Sequence, residues 1–180
     1  MILIGGGARC GKSDLALALA RRLGPRRLFL ATAQAGDDEM RDRIGRHRRT
    51  RGDDFHTLEE PLAVPEVLRA AAGHDVVVLD CLTLWLANLL LGGLEPDAVL
   101  RRVGELAEVL RGGPRHAVIV TNEVGLGLVP ETPLGRTFRD VAGLAHQRLA
   151  AVADEVYFGA LGVMLRLKPG PVVPAGELEA

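Results

Sequence analysis

Short apolar runs alternate along the chain with longer segments whose apolar residues recur at helical spacing. Nearly continuous apolar runs are typical of strands that are covered on both faces. They predict strands at Met1–Ile4, Arg27–Ala31, Asp75–Leu79, Ala117–Thr121, Val156–Phe158 and Val163–Leu167. The helical spacing predicts helices at 12–23, 36–50, 62–72, 81–91, 96–111 and 134–152. This alternation predicts an α/β fold with a mostly parallel central sheet flanked by helices.

The length of 180 residues suits one domain with a substantial core. We expect that domain to cover residues 1–168. Residues 169–180 hold three prolines and few apolar anchors, so we expect a flexible C-terminal tail. The most apolar stretch, 81–94, is too short for a membrane span and contains Thr83 and Asn88, so it predicts a buried helix.

The charge balance argues against nucleic acid as a partner. The net charge is -1, and aromatic residues make up 3% of the chain, so neither a basic excess nor a stacking surface is indicated. Two cysteines, Cys10 and Cys81, are too few for a disulfide framework. With no signal-peptide pattern at the N-terminus, the sequence predicts a protein of the reducing cytoplasm.

The first predicted strand runs into a phosphate-binding motif. Gly6-x4-Gly11-Lys12-Ser13 has the full P-loop pattern, and it lies between a strand and a helix, as that motif requires. Glycines allow backbone N–H groups to turn towards a phosphate chain, and the helix N-terminus adds partial positive charge. Lys12 is predicted to reach the terminal phosphates, and Ser13 to offer its hydroxyl to Mg²⁺.

A second metal-side group is expected at the end of a neighbouring strand. Asp80 follows the apolar run Val76–Leu79 and is placed to supply that carboxylate. A helix is predicted directly after it, so an N-cap role for Asp80 is the alternative, and both can hold. The motif does not identify the base of the nucleotide. The guanine signature N/T-K-x-D of switch GTPases is absent, and TNEVG stands at 121–125.

One histidine, His47, lies within a run of arginines: Arg41, Arg43, Arg46, Arg48, Arg49 and Arg51. A solvated basic helix face is one interpretation. The other is a phosphate site with a nucleophile, because arginines bind phosphates through forked bonds and keep a neighbouring imidazole neutral. A neutral imidazole can attack phosphorus. For the remaining histidines, His56, His74, His116 and His146, surface or cap placement is expected.

Several segments occur in the order found in one enzyme family. They are GGARCGKS, LATAQAGDDEMRDRIGRHRRTR, FHTLEEPL, VVLDCLTLWLANLL, VTNEVGLGLVPETPLGRTFRDVAGLAHQRLAAVADEVYF and GVMLRLK. The chain resembles the bifunctional adenosylcobinamide kinase / adenosylcobinamide-phosphate guanylyltransferases of cobalamin biosynthesis over about residues 1–168. The resemblance implies a P-loop NTPase fold of the RecA-like type, a homotrimer and a corrinoid substrate.

The resemblance also implies two reactions. ATP or GTP phosphorylates adenosylcobinamide; then His47 takes GMP from GTP, releases pyrophosphate and passes GMP to adenosylcobinamide phosphate. The catalytic residues would be His47 and Lys12, and the metal ligands Ser13 and Asp80. The nucleotide would contact Gly6, Gly7, Ala8, Arg9, Cys10, Gly11, Lys12, Ser13, Ala31, Thr32, Ala33, Arg48, Arg49, Thr50, Arg51, Glu59 and Asp80. Asn122 and Glu123, at a predicted strand end, are weaker candidates.

The chain departs from the family pattern at three of these positions. Arg46-His47 stands where some members have two histidines, Cys10 replaces a serine of the P-loop, and Asp80 stands where glutamate is frequent. Two other functions remain open on the residues alone. A P-loop kinase of another metabolite would form no covalent nucleotide adduct, and a nucleotide-gated switch would hydrolyse slowly and need a protein partner.

Overall fold

The computed structural model of the chain describes residues 1–34, 45, 48–49, 51–71, 73–113 and 116–174. Its strands are β1 (Ile2–Gly6), β2 (Arg27–Ala31), β3 (His56–Glu59), β4 (Val76–Asp80), β5 (His116–Val120), β6 (Glu155–Ala160), β7 (Val163–Lys168) and β8 (Val173–Pro174). Its helices are α1 (Lys12–Leu23), α2 (Val64–Ala70), α3 (Leu82–Leu91), α4 (Pro96–Gly112) and α5 (Pro133–Val152), with a 3-10 turn at Gly52–Asp54.

The strands form one sheet in the order β3-β2-β4-β5-β1-β6-β7-β8. Neighbours from β3 to β6 are parallel, and β7 and β8 add antiparallel pairs at one edge. The chain leaves β1 for β2, which lies three positions away, and later returns to both sides of β1. The carboxyl ends of β1, β2, β4 and β5 therefore meet at one edge, where open α/β sheets bind ligands.

Alternate residues of the central strands pack into two different cores. On one face, Leu3, Leu28, Leu30, Val77, Leu79 and Ile119 pack with the buried residues of helices α2 to α5. On the other face, Ile2, Ile4, Phe29, Val78 and Val118 pack with the apolar side of α1. Both cores need apolar side chains from the same strands, and this explains the uninterrupted apolar runs in the sequence.

Helix α1 starts at the P-loop lysine for local reasons that the sequence contains. Ala16, Leu17 and Ala20 recur at helical spacing and are buried against the sheet. Asp14 in the first turn and two arginines in the last turn complement the helix dipole. The Leu23 end is followed by Gly24, which leaves the helical conformation. The amino end of α1 is thereby fixed at the functional edge of the sheet.

The six predicted strands are present with ends shifted by a few residues at most, and β3 and β8 were not predicted. β3 is a short edge strand whose polar end residues, His56 and Glu59, are exposed, so it lacks an apolar run. β8 lies within the segment expected to be a tail and pairs with Leu165 and Arg166 of β7.

The five predicted helices that fall on described residues are present. The predicted helix 36–50 lies mostly outside those residues; Gly45, Arg48 and Arg49 within it are helical. The apolar segment at 81–91 forms α3, and Trp85 and Leu86 there are fully buried, as predicted. Within the described part of the chain, no helix is long and apolar enough to cross a membrane.

Candidate active site

The loop between β1 and α1 has the backbone geometry of a phosphate cradle. Gly6 (φ 143°) and Gly11 (φ 93°) both lie in the region that favours glycine, and Arg9 adopts a left-handed φ of 55°. A β-carbon on Gly6 would lie 2.4 Å from the carbonyl oxygen of Gly159 on the adjacent strand β6. A larger residue at position 6 would therefore push the loop away from the sheet.

Lys12 is the first residue of α1, and its side chain turns into this loop. It is only 6% exposed, its ammonium donates to the Gly7 carbonyl, and it lies 3.5 Å from the Cys10 Sγ. An ammonium held at the centre of a glycine-rich turn, at a helix N-terminus, favours a phosphate group there. Lys12 therefore lies in the turn where the motif predicts a phosphate site, and its role there stays a prediction.

Ser13, the second residue of α1, contacts Asp80, the last residue of β4. Ser13 Oγ donates a 2.9 Å hydrogen bond to Asp80 Oδ2 across 67 residues of sequence. Asp80 is the last residue of β4, and the N-cap of α3 is Cys81, whose side chain makes no capping bond. Asp80 is therefore not the N-cap of α3, and its carboxylate contacts Ser13 beside the P-loop.

The hydroxyl of Ser13 and the carboxylate of Asp80 fit Mg²⁺ in their chemistry. Mg²⁺ prefers oxygen ligands and binds to proteins through one or two of them, with water and substrate phosphates completing its coordination. Among the described residues, no cluster of three or more His, Cys, Asp or Glu side chains could hold a metal by itself. A metal at Ser13 and Asp80 would therefore depend on the phosphates of a bound nucleotide.

Ala31, Thr32 and Ala33 lie at the carboxyl end of β2, beside Asp80. The Thr32 N–H donates to the Asp80 carbonyl, and the Thr32 hydroxyl bonds to both the carbonyl (2.8 Å) and the N–H (2.9 Å) of Cys81. The Thr32 carbonyl accepts from Asn88 of α3. The fully buried side chain of Thr32 thus holds β2 and β4 together.

Two of the arginines from the basic run reach the same edge. Arg51 is buried, and its guanidinium lies 3.8 Å from the centre of the Phe29 ring. Burial lowers the pKa of Arg51, the charges of Asp80 and Glu59 oppose that shift, and the charge of Arg48 adds to it. Arg48 forms an ion pair with Glu59 at the end of β3. Glu59 and Asp80 are therefore within electrostatic reach of these arginines.

Of the other residues implied by the resemblance, Ala8, Arg9 and Arg49 are exposed, and Cys10 is buried against the loop. His47 and Thr50 lie outside the described residues, as do Arg41, Arg43 and Arg46. The structure therefore brings together the P-loop, Asp80, Glu59, Arg48 and Arg51, and the role of His47 stays a prediction.

A second polar cluster occupies the carboxyl end of β5. Glu123 donates its N–H to the Gly6 carbonyl, 3.0 Å away, and so lies beside the P-loop. His146 of α5 has its Nε2 2.7 Å from the Thr121 hydroxyl and its Nδ1 3.6 Å from Glu123 Oε2. Burial lowers the pKa of His146, partly opposed by the Glu123 charge.

The prediction of surface or cap placement was wrong for His146, whose side chain is only 16% exposed. It agrees with the position of His74, which bonds through Nδ1 to the Ala71 carbonyl at the end of α2, and of the exposed His56. The signal in the sequence was the place of His146 directly after Ala145, beside the buried stripe of α5. Such a polar residue needs a buried partner.

The fold and the P-loop geometry define a nucleotide-binding protein of the P-loop NTPase class. The chain is similar to the solved RadB recombinase, with a TM-score of 0.57 and 14% identity, over 96% of this chain and 84% of that chain. It also resembles a prototypical ATPase from the type III secretion system of pathogenic bacteria, with a TM-score of 0.52 and 14% identity, over 89% of this chain and 51% of that chain. At such identities the likeness shows the fold alone.

The sequence comparisons identify one family within this class. Residues 2–167 match the family model for cobinamide kinase / cobinamide phosphate guanyltransferase, and the chain belongs to this family. It is 46% identical to the bifunctional adenosylcobalamin biosynthesis protein CobP of Pseudomonas aeruginosa, over 94% of this chain and 98% of that protein. It is 39% identical to the corresponding CobU protein of Escherichia coli, over 93% and 99% of the two chains.

Proposed function

We propose that this chain is a bifunctional enzyme of adenosylcobalamin biosynthesis. It phosphorylates the aminopropanol hydroxyl of adenosylcobinamide with ATP or GTP, and it then transfers GMP from GTP to adenosylcobinamide phosphate. The family match over nearly the whole chain is the observation that carries the proposal. The bond between Ser13 and Asp80 beside the P-loop supports nucleotide chemistry at this edge of the sheet.

In the kinase step, Lys12 and the amides of the P-loop bind the phosphates of the nucleotide and stabilise the charge that develops on the γ-phosphoryl group. Ser13 and Asp80 would hold Mg²⁺, which supplies charge neutralisation and orientation of the phosphates. Arg48, which pairs with Glu59, and Arg51, which feels the charges of Glu59 and Asp80, would bind further phosphate oxygens through forked bonds.

In the transfer step, we propose His47 as the residue that carries GMP. Its nitrogen attacks the α-phosphorus of GTP, pyrophosphate leaves, and the guanylyl group then passes to adenosylcobinamide phosphate. The support is the place of His47 in the arginine run of this family, two residues from Arg49 and four from Arg51. Adjacent guanidinium groups favour the neutral, nucleophilic imidazole.

The experiment is incubation of the purified protein with Mg²⁺ and GTP labelled at the α-phosphate, followed by denaturation. We expect acid-labile label on the wild-type protein, none with γ-labelled GTP, and none on His47→Ala. His56→Ala, which changes an exposed histidine of β3, serves as the matched control and should keep the label. Folded protein that binds GTP and takes up no α-label would leave a kinase of a small metabolite without the transfer activity.

We further propose one domain over residues 1–168 and a cytoplasmic location, as the sequence predicts, and a homotrimer, which rests on the family resemblance alone. Light scattering coupled to size-exclusion chromatography tests the assembly, because a trimer of a 19.2 kDa chain is well separated from a monomer or a dimer. A monomer that retains both reactions would contradict this part of the proposal.

A further inference from the structure

The polar cluster at the end of β5, formed by Thr121, Glu123 and His146, is not among the predicted nucleotide-binding residues. Its main chain is fixed on two sides: Thr121 and Glu123 donate to the carbonyls of Ile4 and Gly6 on β1, and the Asn122 amide groups lie 3.2 and 3.3 Å from the Thr83 hydroxyl. The main chain that carries Glu123 is therefore held beside Gly6, the first glycine of the P-loop.

Of Thr121, His146 and Glu123, Glu123 has the most exposed side chain. Thr121 is 2% exposed, and the side chains of His146 and Glu123 are 16% and 27% exposed. A hydroxyl, an imidazole and a carboxylate in series also occur in hydrolases with a serine nucleophile, but the burial of Thr121 excludes that use here. The series ends at Glu123, whose Oε1 accepts from the Gly125 N–H and whose Oε2 lies near His146.

The chemistry of the cluster selects the tautomer of His146. An ionised carboxylate can only accept, so the Nδ1 proton faces Glu123 and Nε2 accepts from the Thr121 hydroxyl. This arrangement orients the carboxylate. A carboxylate beside a triphosphate is repelled by it, and Ser13 and Asp80 already supply the metal-side oxygens. The kinase step, in contrast, needs a group that takes up a proton.

We propose that Glu123 is the general base of the kinase step and that His146 is its positioning residue. The inference rests on the proposed function. The Glu123 carboxylate accepts the proton of the acceptor hydroxyl, the hydroxyl oxygen forms its bond to the γ-phosphorus, and the bond from that phosphorus to the β-bridging oxygen breaks. The products are the phosphate ester, the nucleoside diphosphate and a protonated Glu123, which returns its proton to solvent.

The test compares two reactions of one protein. Phosphorylation of adenosylcobinamide requires a base for the hydroxyl, and uptake of α-label from GTP by the enzyme does not involve that hydroxyl. For Glu123→Gln we expect kcat of the kinase reaction to fall by roughly 100-fold, the usual contribution of a general base. The KM for the nucleotide and the uptake of α-label should stay within about twofold, because the P-loop is unchanged.

Two further variants separate a chemical role from a structural one. Glu123→Asp retains a carboxylate and should restore part of the kinase rate, whereas His146→Gln should lower kcat by roughly tenfold through misplacement of that carboxylate. Glu131→Gln, an exposed carboxylate further along the same loop, is the matched control and should resemble the wild type. Thermal unfolding of each variant verifies that it is folded.

Three outcomes would overturn the inference: a kinase kcat within about threefold of wild type in Glu123→Gln, a parallel loss of α-label, or no difference between the Asp and Gln variants. A wild-type protein that neither phosphorylates adenosylcobinamide nor takes up α-label would overturn the proposed function itself, and this inference with it. A failure confined to Glu123→Gln would leave the proposed function intact.

Discussion

Two corners of the same sheet edge each join a hydroxyl to a carboxylate, and they do so differently. At the first, Ser13 donates directly to Asp80, and both groups face the phosphate cradle. At the second, the imidazole of His146 stands between Thr121 and Glu123, and the hydroxyl is buried. The direct pair is suited to a metal, since both oxygens can turn towards it. The second cluster is suited to hold one carboxylate in place.

The comparison predicts different effects on the two proposed reactions. Both reactions use the phosphates of a nucleotide, so the first corner should serve both of them. The second corner should serve the kinase reaction alone, because only in that reaction does an acceptor hydroxyl lose its proton to Glu123. Substitutions at the two corners can therefore be distinguished by which activity they reduce.

The largest effect is expected from Lys12→Met. Loss of the ammonium at the centre of the cradle should reduce both the kinase rate and the uptake of α-label by roughly 1,000-fold, the upper range for one electrostatic contact to developing charge. Rapid-quench measurement of both activities tests this. Lys168→Met on β7 is the control, since that ammonium bonds to the carbonyls at the end of α5, away from the site. If Lys12→Met lost only one of the two activities, the first corner would not serve both reactions.

Asp80→Asn should act next most strongly. We expect both activities to fall on the order of 100-fold, or about 3 kcal/mol of transition-state stabilisation, because a neutral amide binds Mg²⁺ poorly. Rates over a series of Mg²⁺ concentrations should show a raised requirement for the metal. Asp75→Asn is the control at the opposite end of β4, where the carboxylate pairs with Arg26. Unchanged Mg²⁺ dependence in Asp80→Asn would remove the metal-side role.

The first corner follows from the sequence because its parts are encoded locally. The P-loop spacing fixes the place of Lys12 and Ser13 at the start of α1, and an apolar run that ends in Asp80 identifies a strand end. In a parallel sheet, carboxyl ends share an edge, so the contact between Ser13 and Asp80 is a consequence of fold class. The fold itself was predictable for the same reason, except where strands are short and lie at edges, as β3 and β8 do.

The second corner could not be predicted in the same way. Glu123 and His146 are separated by the whole exposed loop and half of α5, and only the packing of α5 on the sheet brings them together. The helical stripe of Val141, Ala142, Ala145 and Leu149 was predictable, and the position of His146 beside it was the one available signal. Its partner depends on the rotation of the helix, which the sequence pattern does not define.

Thr83→Val tests how strongly the two corners are joined. The hydroxyl of Thr83, near the start of α3, contacts both amide groups of Asn122, so its loss leaves donors of Asn122 without their partner. We expect a decrease of about 1–2 kcal/mol in the free energy of unfolding, because valine matches the shape of threonine but accepts no hydrogen bond. Urea titration measures it.

Thr57→Val, a half-buried position on β3, is the comparison for Thr83→Val and should change the free energy of unfolding less. If Thr83→Val is as stable as the wild type, the contact to Asn122 contributes nothing and the corners are independent. If it is destabilised, a loss of kinase activity without loss of α-label would place Asn122 with the second corner.

The smallest expected effect concerns the pH dependence of stability at the second corner. Burial holds the pKa of His146 below its ordinary value of 6.5 in the folded protein. Between those two values the unfolded chain binds more protons than the folded one, so the free energy of unfolding decreases as the pH falls. The contribution of His146 is fully present above pH 6.5 and is lost as the pH falls towards the folded pKa.

The difference in Tm between the wild type and His146→Gln should therefore shrink when the pH is lowered from about 7.5 to about 5, because glutamine does not titrate. Gln147→Ala, at the exposed residue next to His146 on α5, is the control, and its difference from the wild type should stay constant over this range because neither side chain titrates. A difference that grows at low pH would mean that the Glu123 charge outweighs burial, with His146 protonated in the folded protein. His146 would then not be the neutral tautomer that accepts from Thr121 and orients Glu123. The physical reason for assigning the two corners to different reactions would be lost.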